Sequence, residues 1–139
     1  MQRACLLLLV LAHVARSEVV VSNFTALQNA IADGAVIRIT SSFDWTDELV
    51  IGSGVNVTIT NDEGVDEPIL DRHYGGRFVT VEEGGTLVVS GLTFQNGRVG
   101  GEGAEYGGGV AYITGTATFI DCVFNDNEAT YGGGVAYIT

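Results

Sequence analysis

Tyr106–Thr114 reads YGGGVAYIT, and Tyr131–Thr139 reads YGGGVAYIT again, letter for letter, 25 residues further on (131 − 106). A self-match at a period between about 20 and 50 residues is the mark of a solenoid, in which one supersecondary unit stacks on a copy of itself. Between the copies lies GTATFIDCVFNDNEAT, which reads as a short strand, a polar turn, a second strand and a polar loop. The echo extends upstream: Gly85–Phe94 (GTLVVSGLTF) aligns with Gly115–Phe124 (GTATFIDCVF) at an offset of 30. That is the 25-residue unit with five extra residues in the loop Gly97–Glu105. Insertions confined to one loop are what a stacked coil tolerates. The alignment predicts columns Leu87/Ala117, Val89/Phe119, Leu92/Cys122 and Phe94/Phe124 inside the coil, with Val57, Ile59, Val79 and Val81 as further core positions.

A period near 25 leaves room for about three short parallel strands per turn, which points to a parallel β-helix. A propeller blade needs about 40 residues, and a leucine-rich repeat needs its leucine ladder. With one proline and no Gly-X-Y period, the 20 glycines do not describe collagen. The length of 139 residues suits a single domain.

Upstream of the echo the chain is less regular. Arg3, the apolar run Ala4–Ala12 and the small-x-small triplet Ala15-Arg16-Ser17 read as a secretory signal peptide over residues 1–17. That run is too short to cross a bilayer, which takes about 20 apolar residues. Residues 18–34 read as a capping unit: a strand at Glu18–Val21, then a helix over Phe24–Asp33 with Ser22 or Asn23 as N-cap and Gly34 as its C′ residue. A solenoid needs such a cap over the bare end of its core. Residues 35–139 are then the coils. Val36–Thr40, Leu49–Ile51, Val55–Thr60, Ile69–Asp71, Phe78–Val81, Thr86–Val89 and Leu92–Phe94 are short, β-branched and alternating, as strands are.

The charge excludes one class of partner. Seventeen acids face six arginines and no lysine, a formal net charge of −11, and such a surface repels phosphate backbones, so no nucleic acid is expected. Loss of the first 17 residues would leave Cys122 as the single cysteine, set among Ile120, Val123 and Phe124 and expected as a core thiol. Asn23 and Asn56 head N-x-Thr sequons and are candidate glycosylation sites.

At this point the residues match a known pattern. ALQNAI, VIRIT, PILDRHYGGRFVTVEEGGTLVVSGLTFQNG, YGGGVAYI and FNDN together resemble the right-handed parallel β-helix proteins of pectin-lyase-like fold, and within them the polymorphic outer membrane protein type. That type repeats a GGA[I/L/V]-like and an FxxN tetrapeptide. Gly107, Gly108 and Gly109, and again Gly132, Gly133 and Gly134, resemble the first with an added glycine, while Phe124 to Asn127 satisfies the second. Phe94-Gln95-Asn96-Gly97 departs from it, with Asn at the third place. The resemblance covers nearly all of the chain after residue 17. It implies a surface-exposed protein engaged in adhesion, and in bacteria a C-terminal membrane barrel, of which this chain holds nothing. The fold itself hosts adhesins, lyases, hydrolases and esterases alike. The motifs have a structural purpose: glycines permit positive φ and close approach of coils, and Asn127 is expected in a left-handed turn that bonds one coil to the next.

The most reactive-looking cluster is Asp71, Arg72 and His73 with Tyr74, followed by Arg77. In lyases of the resembled fold an arginine or lysine removes the proton α to a uronate, so either arginine could be the base and Asp71 a calcium ligand. No second carboxylate is expected beside Asp71 on an adjacent coil. Asp121 and Asp126 align with Gly91 and Asn96, so they read as turn residues rather than a glycosidase pair. Asp62, Glu63, Asp66 and Glu67 share one loop and are candidate calcium ligands, without EF-hand spacing. Phe43, Trp45 and Tyr74, where exposed, could stack on sugar rings, and Trp45 could equally cover the cap.

These readings lead to a secreted or cell-surface β-helix module of about four coils, acting as an adhesion or scaffold surface without catalysis and without a cofactor. Extracellular glycans or surface proteins are its expected partners, and no membrane span is expected in the chain. The alternative is a carbohydrate-active lyase or hydrolase of the same fold. Because Thr139 closes the second YGGGVAYIT with no cap after it, further repeats are expected downstream.

Overall fold

The structure is a computed structural model and describes residues 18–101 and 107–139. The expected signal peptide at residues 1–17 and part of the enlarged loop lie outside the described residues. The chain makes a series of similar passes. It opens with β1 (Glu18–Val21) and a helix, α1 (Phe24–Ala30). The next pass lays down β2 (Ala35–Ile39), β3 (Phe43–Asp44) and β4 (Leu49–Ile51), and the one after it β5 (Asn56–Asn61), β6 (Ile69–Asp71) and β7 (Val79–Val81). Then follow β8 (Thr86–Ser90), β9 (Thr93–Gln95), β10 (Arg98–Val99) and β11 (Ala111–Ile113). The last pass is β12 (Thr116–Ile120), β13 (Val123–Asn125), β14 (Glu128–Ala129) and β15 (Ala136–Ile138).

Strands of successive passes pair in parallel. One sheet runs β1-β2-β5-β8-β12, a second β3-β6-β9-β13, a third β4-β7-β11-β15, and a small fourth pairs β10 with β14. Each pass therefore visits the three main sheets in the same rotation. Within a strand the residues alternate between inside and outside, as the pleat requires: in β2, Ala35, Ile37 and Ile39 are buried while Val36 and Arg38 are half-exposed. Parallel pairing then stacks like on like. Ile37, Ile59, Val89 and Phe119 form one in-register column, Ile51, Val81 and Ile113 a second, and Phe43, Leu70, Phe94 and Phe124 a third. Those of these side chains that are fully buried, such as Ile37, Ile51 and Leu70, each contribute about 1.5–3 kcal/mol of hydrophobic stabilisation.

The expected columns Leu87/Ala117, Val89/Phe119 and Phe94/Phe124 are paired residue for residue. Val57, Ile59, Val79 and Val81 are all buried. In the last pass Ala117, Phe119, Cys122 and Phe124 are only partly buried, packed against the core from one side. The five extra residues also find their place. Val99 pairs with Ala129 at an offset of 30 and Ala111 with Ala136 at 25, so the enlargement lies between β10 and β11.

Two local expectations need correction. The helix stops at Ala30 instead of reaching Asp33, because Ile31 leaves the helical region (φ −66°, ψ 114°). Gly34, at φ +80°, then closes a turn in which Ala35 N–H donates to Ala32 O, and its own N–H donates to Asn56 O at 2.8 Å. At the start the N-cap is Asn23, whose side chain accepts from Ala26 N–H at 2.8 Å. The second correction concerns the glycine triplet. Gly108 and Gly109 do not have positive φ. They are needed for close approach: a Cβ on Gly108 would strike the Val135 carbonyl and Ala136 backbone, and one on Gly109 the Gly134 and Glu128 backbone. Only Gly132 of the second triplet has positive φ, at +100°.

The helix side of the molecule is sealed by aromatics. Trp45 is buried, its ring 5.2 Å from Phe24 and 5.3 Å from Phe78, and its Nε1 donates to Phe78 O at 3.1 Å. It therefore packs on α1 and is not offered to a sugar, since its one polar atom finds an internal acceptor.

Candidate functional site

The turn after β6 gathers the chemistry. In the second sheet Asp44, Asp71, Gln95 and Asn125 lie side by side on consecutive strands. A second carboxylate does stand beside Asp71, contrary to expectation, and it is Asp44. The miss has a physical origin: β3 is two residues long and the passes are unequal, so no constant offset points to it. The available signal was the alternation itself, since Phe43-Asp44, Leu70-Asp71, Phe94-Gln95 and Phe124-Asn125 are all an inward apolar residue followed by an outward polar one.

Asp71 is saturated with donors. Gln95 Nε2 donates to its Oδ2 at 2.7 Å, Asn96 Nδ2 to both oxygens at 3.0 and 3.1 Å, and the His73 N–H to Oδ1 at 2.8 Å. Partial desolvation works to raise its pKa. The amide and backbone donors and the charge of His73 outweigh that and hold it below the usual carboxylate range. His73 lies between the two acids: Nε2 is 2.8 Å from Asp44 Oδ1, and Nδ1 is 3.5 Å from Asp71 Oδ1. The bond to Asp44, then the charge of Asp71, push the imidazole pKa upward.

The backbone here is unusual. His73 (φ 49°) and Tyr74 (φ 57°) are both left-handed, a conformation that costs a non-glycine residue about 1–2 kcal/mol. It is held by the His73 bond to Asp71, by Tyr74 N–H donating to Asn96 O at 2.7 Å and by Gly75 N–H donating to Arg72 O at 2.9 Å. The side chain of Tyr74 is thereby left 48% exposed.

The two arginines are committed elsewhere. Arg72 Nε donates to Arg77 O at 3.0 Å and Nη1 to Trp45 O at 3.2 Å, beneath Gly75 and Gly76. Arg77 donates from Nε to Gly108 O at 3.2 Å and from Nη1 to Glu48 Oε1 at 3.1 Å. Its guanidinium carbon also sits 5.2 Å from the centre of the Tyr112 ring. Both guanidinium groups brace backbone and neighbouring strands, and neither faces the acid pair as a proton acceptor.

Beside this turn lies an open groove of about 470 Å³ lined by Tyr74, Gly75, Gly76, Arg98, Val99 and Gly100. Arg98 N–H donates to Gly76 O at 2.9 Å, which ties the two walls together. The Arg98 side chain is 3.6 Å from Glu128, and both are largely exposed.

The remaining candidates are dispersed or structural in role. Asp62, Glu63, Asp66 and Glu67 do not converge: among the described residues no three His, Cys, Asp or Glu side chains are placed to hold a metal ion. A tight turn (Val65 N–H to Asp62 O, 3.1 Å, with Gly64 at φ +76°) sets Asp62 and Glu63 apart from Asp66 and Glu67. Asp121 (φ 50°) and Asp126 (φ 51°) occupy left-handed turn positions, like the aligned Gly91 (φ 68°) and Asn96 (φ 59°). Asn127 is not the left-handed residue of its turn; Asp126 takes that conformation instead. Asn127 nevertheless bonds one pass to the next, its Oδ1 accepting from Gly97 N–H at 2.8 Å and its Nδ2 donating to Phe94 O at 2.9 Å. Cys122 is a half-buried free thiol, and burial pushes its pKa up, away from reactivity. Asn23 and Asn56 are exposed.

Comparison with protein-family models, curated proteins and solved structures finds no match for this chain. No helix among the described residues is long and apolar enough to cross a membrane.

Proposed function

We propose that this chain is a right-handed parallel β-helix module of a secreted or cell-surface protein, of pectin-lyase-like fold and akin to the polymorphic outer membrane protein type. It serves as an adhesion or scaffold surface without catalysis. The observation that carries this reading is the state of Asp71: every donor around it stabilises the carboxylate, and its pKa is lowered. Acid–base cleavage of a glycosidic bond needs one carboxyl with a raised pKa beside an ionised partner. Asp71 is held as a carboxylate by its donors and both arginines are committed to carbonyls, so neither an acid at Asp71 nor an arginine base stands ready, which suits a rigid turn on a stacked face.

A second reading, a carbohydrate-active enzyme, draws on the in-register pair Asp44 and Asp71 with His73 between them. One experiment separates the two. The purified secreted protein is applied to cell surfaces and matrix polysaccharides, and both retention and release of new sugar ends are measured. Retention without release is expected. Release that disappears in Asp71→Asn would establish the enzyme and end the adhesion reading.

A further inference from the structure

The groove at Tyr74 has the composition of a sugar site. We propose that it binds a neutral pyranose of a glycan chain, whose apolar ring face lies on Tyr74 and whose hydroxyls meet Arg98 and Glu128 at the rim. This site would give the adhesion surface its ligand class, and it rests on that reading.

Four observations converge on it. First, the volume of about 470 Å³ falls within the range of small-ligand clefts, about 300–1,000 Å³. Second, Tyr74 is exposed because a strained pair of left-handed residues turns it outward. Three backbone bonds hold that pair, so the ring needs little ordering on binding. An exposed tyrosine supplies a broad apolar face at small entropic cost, with a hydroxyl to spare for hydrogen bonding. Third, the floor is glycine on both sides for steric reasons. A Cβ on Gly76 would come within 2.8 Å of Arg72 Nη2 and one on Gly100 would strike Thr130 Oγ1, so these positions are fixed as glycine, and Gly75, Gly76 and Gly100 put no side chain into the groove.

The fourth observation selects a neutral sugar. Arg98 is the groove's cation, and Glu128 answers it at 3.6 Å, which leaves a donor and an acceptor side by side for hydroxyl groups. The chain as a whole carries a formal charge of −11, whose field opposes an acidic glycan. A uronate polymer would meet both that field and the Glu128 carboxylate.

The test uses the whole secreted protein labelled with ¹⁵N, titrated with maltotriose, cellotriose, chitotriose and mannotriose at millimolar concentration, and with a uronic-acid trimer as the charged comparator. At least one neutral trimer should shift the amide signals of Tyr74, Gly75, Gly76 and Gly100 together. Tyr74→Asn removes the ring yet suits the left-handed backbone, so the fold is kept. It should weaken binding on the order of tenfold, while Tyr74→Phe retains it. Arg98→Gln should weaken binding by less.

No shift at those amides with any neutral trimer overturns the proposal. So does a salt-sensitive response to the uronic-acid trimer alone, or equal binding by Tyr74→Asn. Retention on cells is read in parallel. Retention that persists unchanged in Tyr74→Asn, with silent groove amides, removes the groove and leaves the adhesion reading standing. Groove binding without retention upholds the groove and removes adhesion.

Discussion

The turn after β13 and the turn after β6 sit at the same place on the second sheet, and they are made differently. After β13 two residues, Asp126 and Asn127, lead to β14, with one left-handed backbone at Asp126. Its bonds to the neighbouring pass use an amide, which both donates to Phe94 O and accepts from Gly97 N–H. After β6 there are two left-handed residues, and the bonds to the neighbouring pass end on a carboxylate. A carboxylate only accepts, so Gln95 and Asn96 must be amides to satisfy it. The later turn is what stacking alone requires. The earlier one holds strain that sets His73 and Tyr74 outward, and backbone strain of that kind gathers at functional positions.

The contrast breaks most severely if the shared core beneath both turns is lost. Phe78, fully buried, packs edge-on to Trp45 (5.3 Å) and Phe94 (5.1 Å). Phe78→Ala should cost about 3–5 kcal/mol in urea unfolding followed by Trp45 fluorescence. A loss under about 1 kcal/mol would mean that the passes do not share one core. Next comes Asn127→Ala, which removes the acceptor of Gly97 N–H and one donor to Phe94 O and should cost about 1–3 kcal/mol in the same assay.

The turn after β6 adds a pH dependence. Asp71 has a lowered folded pKa, so its stabilisation is full above the unfolded carboxylate range, near about 3.9, and is lost as pH falls through the lower folded value. Asp71→Asn should therefore flatten acid unfolding below that range, and an unchanged acid limb would contradict the donor cluster. His73 behaves in the opposite sense. Its raised pKa gives stabilisation that is full below about 6.5 and lost as pH rises through the folded value. The imidazole is exposed, so this is the smallest effect: its NMR titration should lie above about 6.5 and drop in Asp44→Asn. A midpoint unmoved by that substitution would remove Asp44 as its partner.

The parts of the fold legible in the sequence are those with a local period. VIRIT, VNVTIT and TLVVS alternate strictly, and the β8 and β12 alignment carried the register because the last two passes share an offset of 30 there. Earlier passes step unevenly through the second sheet, by 27 residues from Phe43 to Leu70 and by 24 from Leu70 to Phe94. No single offset could place Asp44. The helix was overextended because Ile31 continues the apolar spacing of Phe24 and Leu27, yet it serves as an extended cap residue. The Asp71–His73 cluster was visible as residue types, but its amide donors come from β9 and the turn after it, and only the pairing of strands brings them together. Arg72 and Arg77 looked available in sequence and are committed to carbonyls 3.0–3.2 Å away.

The ionisation of Asp71 tests directly whether this side chain is a donor-held carboxylate or a general acid. Its side-chain carboxyl ¹³C shift should be followed through a pH titration of the folded protein. We expect a midpoint below about 3.9, as for a carboxylate held by amide and backbone donors on both oxygens. A midpoint raised to about 6, the range of a general acid, would contradict that expectation and make the pair with Asp44 a catalytic one.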